Sequence, residues 1–114
     1  MIVVKRLEAK EFSTIPGVSN KILVSAEKQM FVLINISSDA KIPLHDHENE
    51  QIGLCLKGVV EFQTEDGPVI VEENTAYAFA SNEKHGCRVL SKEGVVILES
   101  FSPPREDFLA HVKD

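Results

Sequence analysis

Short β-branched and aromatic runs, separated by turn residues, constrain this chain more than any other feature. They are "MFVLINI" (30–36), "QIGLCLKG" (51–58), "VVEFQT" (59–64), "PVIVE" (68–72), "AYAFA" (76–80), "HGCRVL" (85–90) and "VVILESF" (95–101). Between them lie "SSDA", "EDGP", "EEN", "SNEK" and "SKEG", all rich in residues that reverse a chain. Runs of this length and spacing predict strands, and "QTEDGPV" predicts a hairpin between 59–64 and 68–72. Strands with so little helical sequence between them predict an all-β sandwich or barrel and exclude a parallel α/β sheet. Only the tail "REDFLAHVKD" has helical spacing, with Phe108, Leu109 and Val112 on its apolar side.

The chain has 114 residues and 43% hydrophobic residues, the size and apolar content of one domain with one core, here residues 1–114. Its formal charge is −6, which argues against nucleic acid or an anionic membrane as a partner, because phosphate binding needs a basic surface. No apolar run approaches the ~20 residues of a membrane span. "MIVVKRLEAKEF" lacks the basic start, apolar stretch and cleavage site of a leader, so a cytoplasmic location is expected. Cys55 and Cys87 are too few for a disulfide framework and are expected as free, buried thiols.

The chemistry concentrates in "PLHDHENEQIG" (43–53). In an extended segment His45 and His47 point the same way. Gln51 begins the next strand after the turn "ENE" and can face them, and a glycine follows two residues on. His85 opens another strand. Three imidazoles and one neutral oxygen suit a divalent ion such as Zn, Fe, Mn, Ni or Cu, and such a set can leave positions open for substrate. The competing explanation is a polar loop with solvated histidines. His111 has no partner near it in sequence and is expected on the surface.

In "VVILESFSPPRED" alternation puts Val95, Ile97, Glu99 and Phe101 on one face. A bare carboxylate in an apolar strand is costly unless paired or near a cation. Arg105 follows "SPP", whose prolines hold the chain extended. Glu99 and Arg105 either form a structural ion pair, or serve as an acid/base and as the clamp for a substrate carboxylate.

The stretch from Asp39 to Gly58 resembles the first cupin motif: glycine, five residues, H-x-H, three or four residues, Glu or Gln, six residues, glycine. "NTAYAFASNEKH" resembles the second, with His85 as its histidine. Asp39 stands for the opening glycine, Asn74 and Asn82 for two later ones, and Ala80 for the proline. Asn tolerates the left-handed turn such positions need. The tail "FSPPRED" further resembles the small single-domain cupins of pectin-degradation type, which act on 4,5-unsaturated uronates.

What the resemblance implies is a double-stranded β-helix, or jelly-roll barrel, pairing as a homodimer. One divalent metal would be held by His45, His47, Gln51 and His85. Glu99, Phe101 and Arg105 would line a pocket for a small-molecule carboxylate, with Glu99 where that group usually has Asp. The expected activity is ring opening and tautomerisation of an unsaturated uronate. A metal-dependent dioxygenase of a diketone or flavonol-like molecule, and a non-catalytic sugar-acid or metal-binding module, are the alternatives.

Overall fold

The computed structural model describes residues 1–113. Its strands are β1 (Glu11–Phe12), β2 (Val18–Ser25), β3 (Met30–Ile36), β4 (Lys41–His45), β5 (Glu50–Lys57), β6 (Val60–Thr64), β7 (Gly67–Val71), β8 (Ala76–Phe79), β9 (His85–Val89) and β10 (Val95–Ser102). They form a six-stranded sheet in the order β1-β2-β3-β10-β5-β8 and a four-stranded sheet in the order β4-β9-β6-β7. Every pairing is antiparallel. Consecutive strands repeatedly cross from one sheet to the other, as in a jelly roll.

Seven strands fall where the runs predict them, within a residue or so at each end. Three others interrupt their own apolar pattern. β1 has two residues. β2 carries Ser19, Asn20 and Lys21 in its first half, yet Asn20 is buried at 2% exposure. β4 contains Pro43 and is an edge strand of its sheet, where a missing N–H is tolerated.

β10 shows strict alternation, with Val95, Ile97, Glu99 and Phe101 buried and the residues between them more exposed. Its inward side chains meet Val32, Cys55, Val60 and Phe62 in the core between the sheets. Phe101 is 1% exposed and Val60 0%. Burying one such side chain contributes about 1.5–3 kcal/mol. The 64–67 hairpin closes as predicted, with Thr64 opposite Gly67 and the Thr64 hydroxyl donating to the Gly67 carbonyl at 2.7 Å. Asn74 and Asn82 adopt φ of 64° and 63°, the left-handed turns expected of them.

The tail forms α1 (Glu106–Val112), and Asp114 of the predicted helical stretch lies outside the described residues. Phe108 is its buried anchor, edge-on to Phe101 at 5.6 Å and to Phe12 of β1 at 5.2 Å. His111 is exposed, as expected, and stacks flat on Phe12 at 5.0 Å. No helix among the described residues is long and apolar enough to cross a membrane.

Candidate active site

His45 ends β4 and lies opposite His85, which begins β9, after a register shift between Ile42 and His45. Gly86 makes this crossing possible: a Cβ there would stand 2.7 Å from the Ile42 carbonyl oxygen and 2.9 Å from the Leu44 nitrogen. His47 lies beyond the end of β4, in the loop to β5, so strand alternation is not what aims it. Its carbonyl accepts from Asn82 N at 2.8 Å, and its Nδ1 meets the Asn49 carbonyl at 2.9 Å. Asn49 in turn donates to the Pro103 carbonyl at 2.6 Å, tying this loop to the segment before Arg105.

The three imidazoles converge, with one nitrogen from each within 4.8 Å of the others. His85 stacks on Phe79 at 4.3 Å and 9°. In every ring Nδ1 is engaged by a backbone carbonyl: His45 with Pro43 O at 2.9 Å, His47 with Asn49 O at 2.9 Å, His85 with Glu83 O at 2.8 Å. Each Nδ1 therefore carries the proton, and each neutral ring keeps a bare lone pair on Nε2. Burial holds His47 below the usual histidine range and pushes His85 down to about 4. Neutral rings with Nδ1 tied to carbonyls are the state in which histidine binds a metal.

Gln51, inward on β5, completes the set. Its Nε2 donates to Glu99 Oε2 at 2.5 Å, so its Oε1 is the atom that faces His47 Nε2 at 3.1 Å. Two lone-pair acceptors at that distance repel unless a cation lies between them. Adjacent ligands about 2.1 Å from one metal ion, at right angles, stand about 3.0 Å apart. Three bare imidazole nitrogens and an amide oxygen fit a divalent ion.

A cavity of about 200 Å³ adjoins this cluster, walled by His45, Gln51, His85, Glu99, Phe101 and Arg105 among others. His47 is not on that wall and contacts Phe101 edge-on at 5.9 Å. Glu99 is 5% exposed. Burial pushes its carboxyl above the usual range, against the hydrogen bonds from Tyr77 and Gln51 and the charge of Arg105.

Glu99 and Arg105 do not form the ion pair that the sequence allows. The Arg105 guanidinium binds Asp107 instead, through Nε at 3.2 Å and Nη2 at 2.7 Å. It lies over the Phe108 ring at 3.9 Å and 5.1 Å from the Phe101 centroid. Aromatic faces and one carboxylate thus hold a cation at the cavity wall, with the arginine side chain only 15% exposed. Cys55 and Cys87 are free and buried in the core, and Cys87 also lines the cavity. Burial raises both thiols, Cys87 to about 12, which keeps them protonated.

Sequence reasoning missed Tyr77, whose hydroxyl donates to Glu99 Oε2 at 2.5 Å. It also missed Asn20, a buried amide on the cavity wall. Tyr77 gives one local signal, a hydroxyl inside the apolar run "AYAFA", and Asn20, flanked by Ser19 and Lys21, gives none.

The cupin domain model matches residues 32–101. The chain belongs to the cupin family. This cupin is 33% identical, over 94 residues, to the pectin degradation protein KdgF of Dickeya dadantii (strain 3937), covering 82% of this chain and 84% of that one. It is 31% identical to the H2HPP isomerase of Bacillus subtilis over an alignment of 119 residues, 91% of this chain but 50% of the relative, so it spans half of that protein's length. Among solved structures, KdgF from Halomonas sp. superposes with a TM-score of 0.83 at 26% identity, covering 94% of this cupin and 99% of that chain. The polyketide cyclase RemF from Streptomyces resistomycificus shares the fold, with a TM-score of 0.80 at 21% identity over 93% of this cupin and 82% of that chain.

Proposed function

We propose that this cupin is a metal-dependent enzyme that opens and tautomerises the ring of a 4,5-unsaturated uronate. The observation that carries the reading is one cavity wall that joins His45 and His85 of the histidine cluster, the buried Glu99 carboxyl and the stacked Arg105 guanidinium. The likeness to two KdgF proteins, one of them described as a pectin degradation protein, supports the substrate class.

His45, His47, His85 and Gln51 Oε1 would hold one divalent ion. Such an ion supplies Lewis-acid polarisation of substrate oxygens. Arg105 pairs with the substrate carboxylate, and its stacked plane orients the ring. Phe101 packs against that ring. Glu99 takes the proton from the hemiacetal hydroxyl as the bond between C1 and the ring oxygen breaks, which leaves an aldehyde at C1 and an enolate at C5. The same carboxyl then returns the proton to C4, which gives the 5-keto acid. No atom or electron enters or leaves, so the step is an isomerisation. Burial raises the Glu99 carboxyl above its usual range, the direction that favours its giving the proton back to C4.

The test is single-turnover loss of the unsaturated uronate's ultraviolet absorbance, corrected for spontaneous opening and repeated without oxygen. Glu99→Gln should slow opening by about 10²–10⁴-fold at unchanged metal content. A parent that opens no uronate faster than buffer, or that turns over only with oxygen, sinks the proposal, the second result in favour of a dioxygenase.

We further propose that two copies pair through the outer face of the six-stranded sheet. Phe31 and Ile52 are 40% and 55% exposed there, and Leu98 lies opposite Leu33 and Leu54 in the same face. A contiguous exposed apolar patch is the usual mark of a covered surface.

A further inference from the structure

One feature of "PLHDHENEQIG" has no part in holding a metal or a substrate: the glycine at 53. It sits in the middle of β5, where a glycine weakens a strand. In the sheet register Gly53 stands between Glu99 on β10 and Tyr77 on β8, so Glu99, Gly53 and Tyr77 form one row across three strands. Glu99 points into the barrel and is 5% exposed. A Cβ built on Gly53 would meet Tyr77 Cζ and the Tyr77 hydroxyl oxygen at 2.4 Å each, and Cε2 at 2.9 Å. The missing side chain is a slot, and the tyrosine ring lies across it.

The ring is gripped on its other sides by Phe62, 4.7 Å between centroids, and Phe79, 5.7 Å. Its hydroxyl ends 2.5 Å from Glu99 Oε2. That same oxygen accepts from Gln51 Nε2 at 2.5 Å. Both donors thus fall on Oε2, and no hydrogen bond reaches Oε1 among the described residues. No buried side-chain oxygen among those residues lacks a partner, so Oε1 is open to the cavity that Glu99 lines.

We infer that Tyr77, seated in the slot left by Gly53, is a positioning residue that pins Oε2 of Glu99 and so presents Oε1 to the substrate. The inference rests on the reading of Glu99 as the proton-transfer group. Gln51 alone cannot do this work, because its other end faces His47 and a single hydrogen bond lets a carboxyl rotate about its Cγ–Cδ bond. A second donor at the same oxygen removes that freedom. Burial and the Glu99 charge push the phenol far above its usual range, so it stays a donor across the working pH.

Tyr77 is the only tyrosine and the chain has no tryptophan, so near-ultraviolet emission reports this one side chain. The experiment compares the parent with Tyr77→Phe, Gly53→Ala, the double variant G53A/Y77F and Glu99→Gln. It measures kcat and KM on the unsaturated uronate, metal content by mass spectrometry, and tyrosine emission of metal-free protein. Tyr77 reaches the histidine cluster through Glu99 and Gln51, and losing an outer hydrogen-bond partner at a metal site costs about 10–100-fold in affinity or activity. Tyr77→Phe and Gly53→Ala should each lower kcat by about that much, with KM and metal content unchanged. The double variant should be no slower than the slower single one. A phenol bonded to a carboxylate emits weakly, so Glu99→Gln should brighten the metal-free protein.

Tyr77→Phe as fast as the parent, alongside a slow Glu99→Gln, overturns the positioning role and leaves the proton-transfer reading standing. A fall in metal content with kcat per bound metal unchanged also overturns it, since the tyrosine would then only support the fold. If Glu99→Gln is itself as fast as the parent, the proton-transfer reading fails and the positioning role falls with it.

Discussion

Stripping the protein with a chelator and adding back Zn, Mn, Fe, Ni or Cu one at a time should raise its melting temperature. An ion that binds only the folded chain stabilises it by about 2.7 kcal/mol at a free concentration 100 times its Kd. For 114 residues the unfolding entropy is about 0.24 kcal/mol per degree. The expected rise is therefore about 11 °C for the preferred ion. His45→Ala is the sharpest perturbation, because His45 is only half-buried and its own hydrogen bond is local, to the carbonyl of Pro43. The variant's metal-free melting temperature should stay close to the parent's. Structural sites with four ligands bind with about 10–16 kcal/mol, so one ligand carries about 3 kcal/mol, a factor of roughly 100 in Kd. At the same ion concentration the variant would sit near its Kd, and the rise should shrink to about 2 °C. Differential scanning fluorimetry reads both. A full rise in the variant, or no rise in the parent with any of the five ions, refutes the ligand set and with it the cation between His47 Nε2 and Gln51 Oε1.

Three further outcomes follow from the same geometry. The metal-free protein should lose stability as pH falls from about 6.5 toward 4: burial depresses His47 and His85 in the fold, so the unfolded chain binds protons first, and thermal melts across that window check it. Arg105→Lys should raise KM for the uronate about 10-fold, because the planar fork and the stack on Phe108 are both lost, and steady-state kinetics that show an unchanged KM would remove Arg105 from binding. Ile52→Lys puts a charge in the exposed apolar face, so light scattering should find the parent dimeric and the variant monomeric.

The fold was legible because alternation and turn chemistry repeat through most of the chain. Val95 to Phe101 needed nothing else, since every second residue is large and apolar apart from Glu99. β2 and β4 were not legible, because each depends on tertiary placement. Asn20 faces inward in spite of its polarity, and Pro43 survives only on an edge. Spacing and family resemblance brought His45, His47, Gln51 and His85 into one candidate set. Which nitrogen each ring offers was not legible, since that is decided by backbone carbonyls two residues away whose direction only the folded chain sets. The carboxylate that pairs with Arg105 was not legible for a related reason. Glu99 and Asp107 are both near it in sequence, and only the turn into α1 brings Asp107 within 2.7 Å. Tyr77 lies far from Glu99 along the chain and meets it only through strand register, which no local pattern records.

The contact of Phe12 with Phe108 has a consequence for how the pocket comes into being. Phe108 is part of the cavity wall, and it rests on a strand near the other end of the sequence. A ribosome delivers Phe12 early and Phe108 late. Both rings that pack on Phe12, those of Phe108 and His111, belong to α1, so a chain without α1 lacks that side of the wall. Pairings between such distant segments are slow to form, because loop-closure entropy is lost before any contact rewards it. A nascent chain stalled before α1 can therefore carry all three histidines and still lack a closed pocket. Substrate affinity, measured on chains released at successive lengths, would date the arrival of α1.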